Sequence, residues 1–408
     1  MRRFRLIFCC FLAPMLGTIA VGASAAPAPM PASRMQSAHD STPLVPLAKV
    51  KRIIADARKI VTPNGIQELD ELHIDGISQW VSIRGRDRRN PILLVLHGGP
   101  GSPDMPLAWT FESPWEDYFT VVEWDQRGTG KTYASNTETA MAPGMTIPGM
   151  TQDAAKVVEY LRKRFHKRKI FLLGHSWGSV LGVRLAQEHP HWFYAYIGVG
   201  QVVNTRKSEA DGYAWALREA QTHHNAEAIR ELKSIAPYPG TAPMTIQRIT
   251  IRDKWEMYYG GLAWGRKDYQ FAADAWKLSP EYGLRDWRAI DKGSLFSLKH
   301  LLQPFMAVDF DHVTRFDCPV ILFVGAHDYT VSYKLAKQWF DKIQAPSKRL
   351  VIFADSAHMI FLEQPGRFLV DLVKYALPYA RKAGDVAPGE KTTFCTYVDS
   401  KQNCHTGR

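Results

Sequence analysis

Long hydrophobic runs are scarce in this 408-residue chain. Beyond residues 6–22, no stretch reaches the roughly 18 apolar residues that a bilayer-spanning helix needs, which excludes a multi-helix membrane protein. Cysteine is scarce too, with five in the chain, and this excludes a small fold stapled by many disulfides. Acidic residues are outnumbered, 40 against 51 Lys and Arg, so the formal net charge is +11. The densest basic run, Arg162 to Lys169, closes an expected helix. Cations there complement the helix C-terminus, so the run reads as a solvated helix end rather than a nucleic-acid site. A hydrophobic fraction of 46% and a charged fraction of 22% exclude global disorder. The length suits one large α/β domain with an insertion, or two domains.

The chain opens on a targeting pattern. Arg2, Arg3 and Arg5 form a basic start, Leu6 to Gly22 an apolar segment, and Ala23-Ser24-Ala25 a small-residue cleavage site. We expect cleavage after Ala25, export of the remainder to the periplasm or medium, and no stable membrane insertion afterwards. Cys9 and Cys10 leave with the leader. Cys318, before an apolar strand, reads as a buried free thiol, while Cys395 and Cys404 are expected to form a disulfide in an oxidising compartment.

Residues 26–49, rich in Ala, Pro and Ser, read as a linker. Helical periodicity follows at Val50–Ile60, and then two strands, Gln67–Ile74 and Ser78–Arg84, meet at Asp75-Gly76, a hairpin signal. Buried strands are expected at Pro91–Leu96, Phe119–Trp124, Ile170–Leu173, Phe193–Val199, Pro319–Val324 and Arg349–Phe353. Helices are expected at Thr151–Arg164, Val180–Glu188, Val331–Ile343 and Phe361–Tyr379. Between residues 203 and 310 the period is helical and aromatics are frequent, Trp215, Trp255, Tyr258, Tyr259, Trp264, Trp276 and Trp287 among them. Strands alternating with helices imply a mostly parallel sheet covered on both faces. The pattern describes an α/β-hydrolase core, residues 50–202 and 311–385, with a helical cap at 203–310 after the sixth strand. A tail, 386–408, lies outside it.

Gly174-His-Ser176-Trp-Gly178 stands between a buried strand and a helix, the setting in which G-x-S-x-G forms a nucleophile elbow. In this fold the acid and the histidine follow on loops after later strands. Strand 319–324 leads into Gly325-Ala-His-Asp328, and strand 349–353 into Ala-Asp-Ser-Ala-His358. We therefore assign Ser176 as nucleophile, His358 as base and then acid, and Asp328 as its orienting carboxylate, with His327 and Asp355 as the nearest competitors. Two backbone N–H groups must hold the oxyanion, and Gly99 and Trp177 are the candidates, since Pro100 has no N–H. His97 reads as a structural hydrogen-bonding residue.

His97-Gly-Gly-Pro-Gly-Ser102, Asp125-Gln-Arg-Gly-Thr-Gly130 and Gly174-His-Ser-Trp-Gly178, with Gly-Ala-His-Asp328 and Ser-Ala-His358, resemble the proline iminopeptidase family of serine peptidases. After Asp-Gln-Arg-Gly the family's Gly-Arg-Ser is Gly130-Lys131-Thr132 here. The resemblance implies metal-free hydrolysis that releases an N-terminal residue, often proline, from a peptide or amide. Such an enzyme must hold a charged α-amine, so the cap should offer a carboxylate. Glu256 is the first candidate, with Glu209 and Asp211 behind it. A carboxylesterase or other small-molecule hydrolase using the same triad is the alternative. No cofactor is expected, and the partner is a small peptide or small molecule.

Overall fold

The computed structural model describes residues 45–389, together with the backbone of 392–398 and 401–407. Helix α1 (Leu47–Ala57) begins inside the stretch expected to be linker. Strands β1 (Ile66–Ile74) and β2 (Ile77–Gly85) form the expected hairpin, with Asp75 and Gly76 at φ of 49° and 75°. A type I′ turn needs positive φ at both central residues, which Asp-Gly tolerates. Next come β3 (Ile92–Leu96), β4 (Thr120–Asp125), α2 (Gly130–Ser135), α3 (Glu138–Met141), α4 (Ile147–Arg164), β5 (Ile170–His175), α5 (Trp177–Glu188) and β6 (Phe193–Val199).

Five helices are inserted here: α6 (Thr205–Thr222), α7 (Ala226–Ser234), α8 (Ile246–Tyr258), α9 (Gln270–Leu278) and α10 (Leu284–Met306). The alternation then resumes with β7 (Val320–Gly325), α11 (Tyr333–Lys342) and β8 (Lys348–Phe353). The single helix expected at Phe361–Tyr379 is instead three pieces, α12 (Ile360–Glu363), α13 (Pro365–Tyr375) and α14 (Leu377–Lys382). Pro365 and Pro378 stand in the first turns of the second and third pieces, where the missing N–H interrupts the helical ladder. The tail pairs β9 (Thr392–Val398) with β10 (Lys401–Gly407), and the register sets position 395 opposite position 404. The side chains of that pair, and the leader with its cleavage site, lie outside the described residues.

The main sheet runs in the order β1-β2-β4-β3-β5-β6-β7-β8. The first two pairings are antiparallel, and every later one is parallel. Both faces of the parallel part are buried. Leu94, Leu96 and Leu172 pack with Val157 of α4, Leu181 of α5 and Trp339 of α11. Leu93, Val95, Phe171 and Leu173 point the other way, onto Phe368 and Leu372 of α13. This is why the strands read as unbroken apolar runs.

From β3 the order of strands proceeds one way to β4 and the other way to β5. In such sheets the crevice outside the strand ends at this reversal is where ligands bind. Among the described residues, no helix is long and apolar enough to cross a membrane.

Candidate active site

Ser176 follows β5 directly and is the N-cap of α5, with φ 52° and ψ −122°. A non-glycine residue in that region is strained, and it persists only where its surroundings over-determine it. The surroundings do so here. The Ser176 N–H donates to the Val199 carbonyl at 2.9 Å, and the Ser176 carbonyl accepts from the N–H and the hydroxyl of Ser179, at 2.8 and 2.6 Å. Ser179 Oγ in turn accepts from the Val202 N–H at 2.9 Å. The motif glycines are required by close approach. A Cβ on Gly178 would lie 1.9 Å from the Leu96 carbonyl oxygen, and one on Gly174 2.7 Å from that of Gly178.

The loops after β7 and β8 bring the other two members together. His358 Nδ1 donates to Asp328 Oδ2 at 2.8 Å, and the second oxygen of Asp328 accepts from the Val331 N–H at 2.8 Å. Both groups are buried, which makes a charge-assisted bond of this kind stronger than in water. The strand between them and Ser176, β6, is followed by Gly200 at φ 53°, where a Cβ would meet His358 Cε1 at 2.7 Å. His327 instead stacks its ring on Trp264, 3.4 Å between centroids, and Asp355 is exposed.

Gly98 and Gly99 form the opposite lip, and a Cβ on Gly98 would touch Ser176 Cβ at 3.2 Å. Gly99 has φ 116°, and Trp177 is the first residue of α5. His97 holds this loop in place. Its Nε2 accepts from the Gln126 N–H at 3.2 Å, so its Nδ1 carries the proton and donates to the Gly98 carbonyl at 2.8 Å. Burial pushes its pKa down to about 4, with the neighbouring charge of Asp104 opposing that shift. The Gln126 amide bonds the His97 carbonyl at 3.0 Å, and the Trp177 indole donates to Gln126 Oε1 at 3.0 Å. The rest of the Asp-Gln-Arg-Gly motif is scaffold. Arg127 grips Asp153 through two bonds of 2.7 and 3.0 Å, and Asp125 accepts from the Lys131 N–H at 2.7 Å and from the Tyr282 hydroxyl. Lys131 reaches Asp286 of α10 at 2.7 Å, so the Gly-Lys-Thr ending ties the core to the insertion.

Ser176 and His358 open onto a cleft, partly exposed to solvent, that residues of the inserted helices also line. Most of its wall is apolar, with Trp276, Tyr269 and Leu107 on one side and Ile249, Leu298 and Leu302 on another. Trp276 is thus a cavity aromatic, whereas Trp215 and Trp255 pack a small hydrophobic core of the insertion itself. One end of the cleft is polar, formed by Glu209, Arg252 and Asp253.

The structure places Glu256 elsewhere than the sequence suggested. It is fully buried behind this end, bonded to Arg252 Nη1 at 3.1 Å and to the Thr330 hydroxyl at 2.7 Å, and it does not line the cleft. Burial raises its pKa to about 8. Asp211 is exposed and accepts from the Ser332 hydroxyl at 2.7 Å. Glu209 does line the cleft, and Asp253, one turn before Glu256, was not singled out. Its signal was present, since a helix with Arg252, Asp253 and Glu256 puts all three near one face. Among the described residues, no group of three or more His, Cys, Asp or Glu could hold a metal ion.

A serine on a strained strand–helix turn, a histidine–aspartate pair and a glycine lip, all at the strand ends of a largely parallel sheet, define a class. The chain belongs to the α/β-hydrolase fold family, whose profile matches residues 91–365. Within that family it is similar to a probable aminopeptidase of Bacillus subtilis, 33% identical over 76% of this chain and 96% of that protein. It is also similar to a proline iminopeptidase of Arabidopsis thaliana, 26% identical over 67% of this chain and 70% of that one. A solved proline iminopeptidase from Mycobacterium smegmatis superposes with a TM-score of 0.55 at 18% identity, over 78% of this chain and 100% of that one, and so shares its fold.

Proposed function

We propose that this protein is an exported serine aminopeptidase that releases N-terminal proline or another small apolar residue through an acyl-enzyme. The observation that carries the reading is one cleft lined both by Ser176 and His358 and by the carboxylates Glu209 and Asp253. Ser176 Oγ attacks the carbonyl as His358 Nε2 takes its proton, and Asp328 stabilises the resulting imidazolium. The N–H groups of Gly99 and Trp177 hold the oxyanion. His358 then protonates the leaving amine and activates the water that releases the acid.

The polar end supports an amine-bearing substrate. Arg252 is already engaged, with Nε and Nη2 on Glu209, Nη1 on Glu256 and Asp253 within 3.3 Å of Nε, so its charge is met by protein carboxylates. Glu209 and Asp253 both lie against the Arg252 guanidinium, so carboxylates outnumber cations at this end of the cleft, and burial raises the pKa of Glu256 behind them. The anchoring role first considered for Glu256 therefore passes to Asp253 and Glu209. The names of the relatives agree with this reading, and the leader pattern supports export.

The test is an initial rate on a proline anilide with a free amine, beside its N-acetyl twin and a short-chain ester. We expect turnover mainly of the free amine, and a loss of at least about 10⁴-fold in Ser176→Ala with the fold intact. Asp253→Asn should raise KM for the free-amine anilide roughly tenfold and leave the ester unchanged. Activity on the ester alone would make the protein a carboxylesterase instead.

A further inference from the structure

The inserted helices do more than line the cleft, for one short segment of them is bonded to both triad loops. The Gly261 carbonyl accepts from the Tyr329 N–H at 3.2 Å, directly after Asp328, and the Leu262 carbonyl accepts from the N–H of His358 itself at 3.0 Å. Leu262 is also part of the cleft wall. Two residues on, the Trp264 N–H donates to Glu363 Oε1 at 2.5 Å. Glu363 reaches back from α12 to the histidine loop, where its two oxygens share the Ala357 N–H at 3.1 and 3.0 Å. Ala357 immediately precedes His358. One carboxylate therefore bridges the backbone of the histidine loop and the backbone of the cleft wall.

We propose that Glu363 is a positioning residue, which locks the Leu262 segment of the cleft wall to the loop carrying His358 so that the imidazole is aligned on Ser176. The inference rests on His358 being the base. Physically, the carboxylate is the right group for this place, because it meets only donors. An amide at this position would turn its NH₂ towards one of two N–H groups, and a protonated acid would do the same with its hydroxyl. Glu363 is mostly buried, and that burial raises its pKa to about 7 against the pull of the Ala357 and Trp264 N–H groups, with the charge of Asp328 adding to the rise. No lysine or arginine is bonded to it among the described residues, so its hold on the two loops is made by backbone donors alone.

The test is the labelling of Ser176 by a fluorophosphonate, which reports nucleophile activation without any assumption about the natural substrate. For Glu363→Gln we expect the saturating labelling rate to fall by about tenfold or more, while the concentration giving half the maximal rate and the melting temperature change little. Glu363→Asp keeps the charge on a shorter stem and should recover part of the rate. Trp264→Ala removes an exposed ring but keeps the N–H that Glu363 accepts, and should label at close to the normal rate. His358→Ala is the control for the base itself. Near-normal labelling of His358→Ala would overturn the assignment of the base. Abolished labelling there, with unchanged labelling in folded Glu363→Gln and Glu363→Asp, would overturn the role of Glu363 alone. A fall that merely tracks a lowered melting temperature would make it a structural residue and would equally overturn the proposal.

Discussion

A methyl group is the smallest probe of this site, and the glycines show where none fits. Gly200 follows the strand between Ser176 and the histidine–aspartate pair, and its missing Cβ is the space that His358 occupies. Gly200→Ala should cost about 1–2 kcal/mol of stability through its positive φ. The larger effect is expected on activity, with kcat reduced more than about tenfold because the added methyl displaces the His358 imidazole. Steady-state kinetics beside a denaturant titration checks this. Equal loss in both would mean that the residue acts through the fold. At Gly178 the neighbour is a backbone carbonyl only 1.9 Å from the would-be Cβ, and that neighbour cannot yield. Gly178→Ala should therefore lose about 3 kcal/mol or more, and its fate is read from expression and melting rather than from kinetics.

At the scale of elements, the meeting of the segments that carry Ser176, Asp328 and His358 was legible because their spacing is a property of the fold. Ser176, Asp328 and His358 each follow a strand of apolar residues, and a parallel sheet puts those strand ends on one rim. His97 was legible as a structural residue for a similar reason, since it follows β3 directly and opens a loop that needs holding. Glu256 was not legible. Its helix could be read from the period, but which face of α8 meets the cleft depends on packing against α6 and the loop after β7, contacts between residues far apart in sequence. Glu363 was hidden likewise, because its partners Trp264 and Ala357 lie on two different segments. The break after Glu363 had its signal in Pro365 and Pro378, which a run of apolar residues outweighed. The Asp-Gln-Arg-Gly segment shows the other limit: its residues stand out in sequence, yet they serve as braces. Arg127 and Asp153 are buried and joined by two bonds, so Arg127→Ala would strand a carboxylate in the core. The expected cost is about 3–5 kcal/mol by chemical denaturation, and Arg127→Lys should recover only part of it, since an ammonium cannot reproduce the paired geometry.

Across the whole molecule, the buried titratable groups set opposing limits on stability with pH. Burial and the charge of Glu116 raise Glu112 to about 8, with Arg58 opposing, and burial raises Glu123 beside it well above the usual range. Asp125 is raised to about 7 and Glu256 to about 8, in both cases chiefly by burial. A carboxyl group whose folded pKa lies above its unfolded value binds more protons in the folded state. Its contribution is complete below the unfolded value, 4.5 for Glu112, and is lost as pH rises through about 8. His97 acts from the other side. Its folded pKa of about 4 lies below the unfolded 6.5, so stability is lost as pH falls through that interval. The protein should therefore melt highest in mildly acidic solution and lose stability as pH rises towards about 8. Glu112→Gln replaces the protonated acid by a neutral group of the same shape. It should leave the melting temperature near pH 5 almost unchanged and gain roughly 1–3 kcal/mol at pH 9. Melting curves of both proteins from pH 5 to 9 decide the matter. Parallel curves would show that Glu112 ionises without cost in the fold, and the alkaline loss would then have to come from Glu123, Asp125 and Glu256. Curves that converge near pH 5 and separate progressively up to about pH 8 would place the weakness in the buried carboxyl groups at and beside β4.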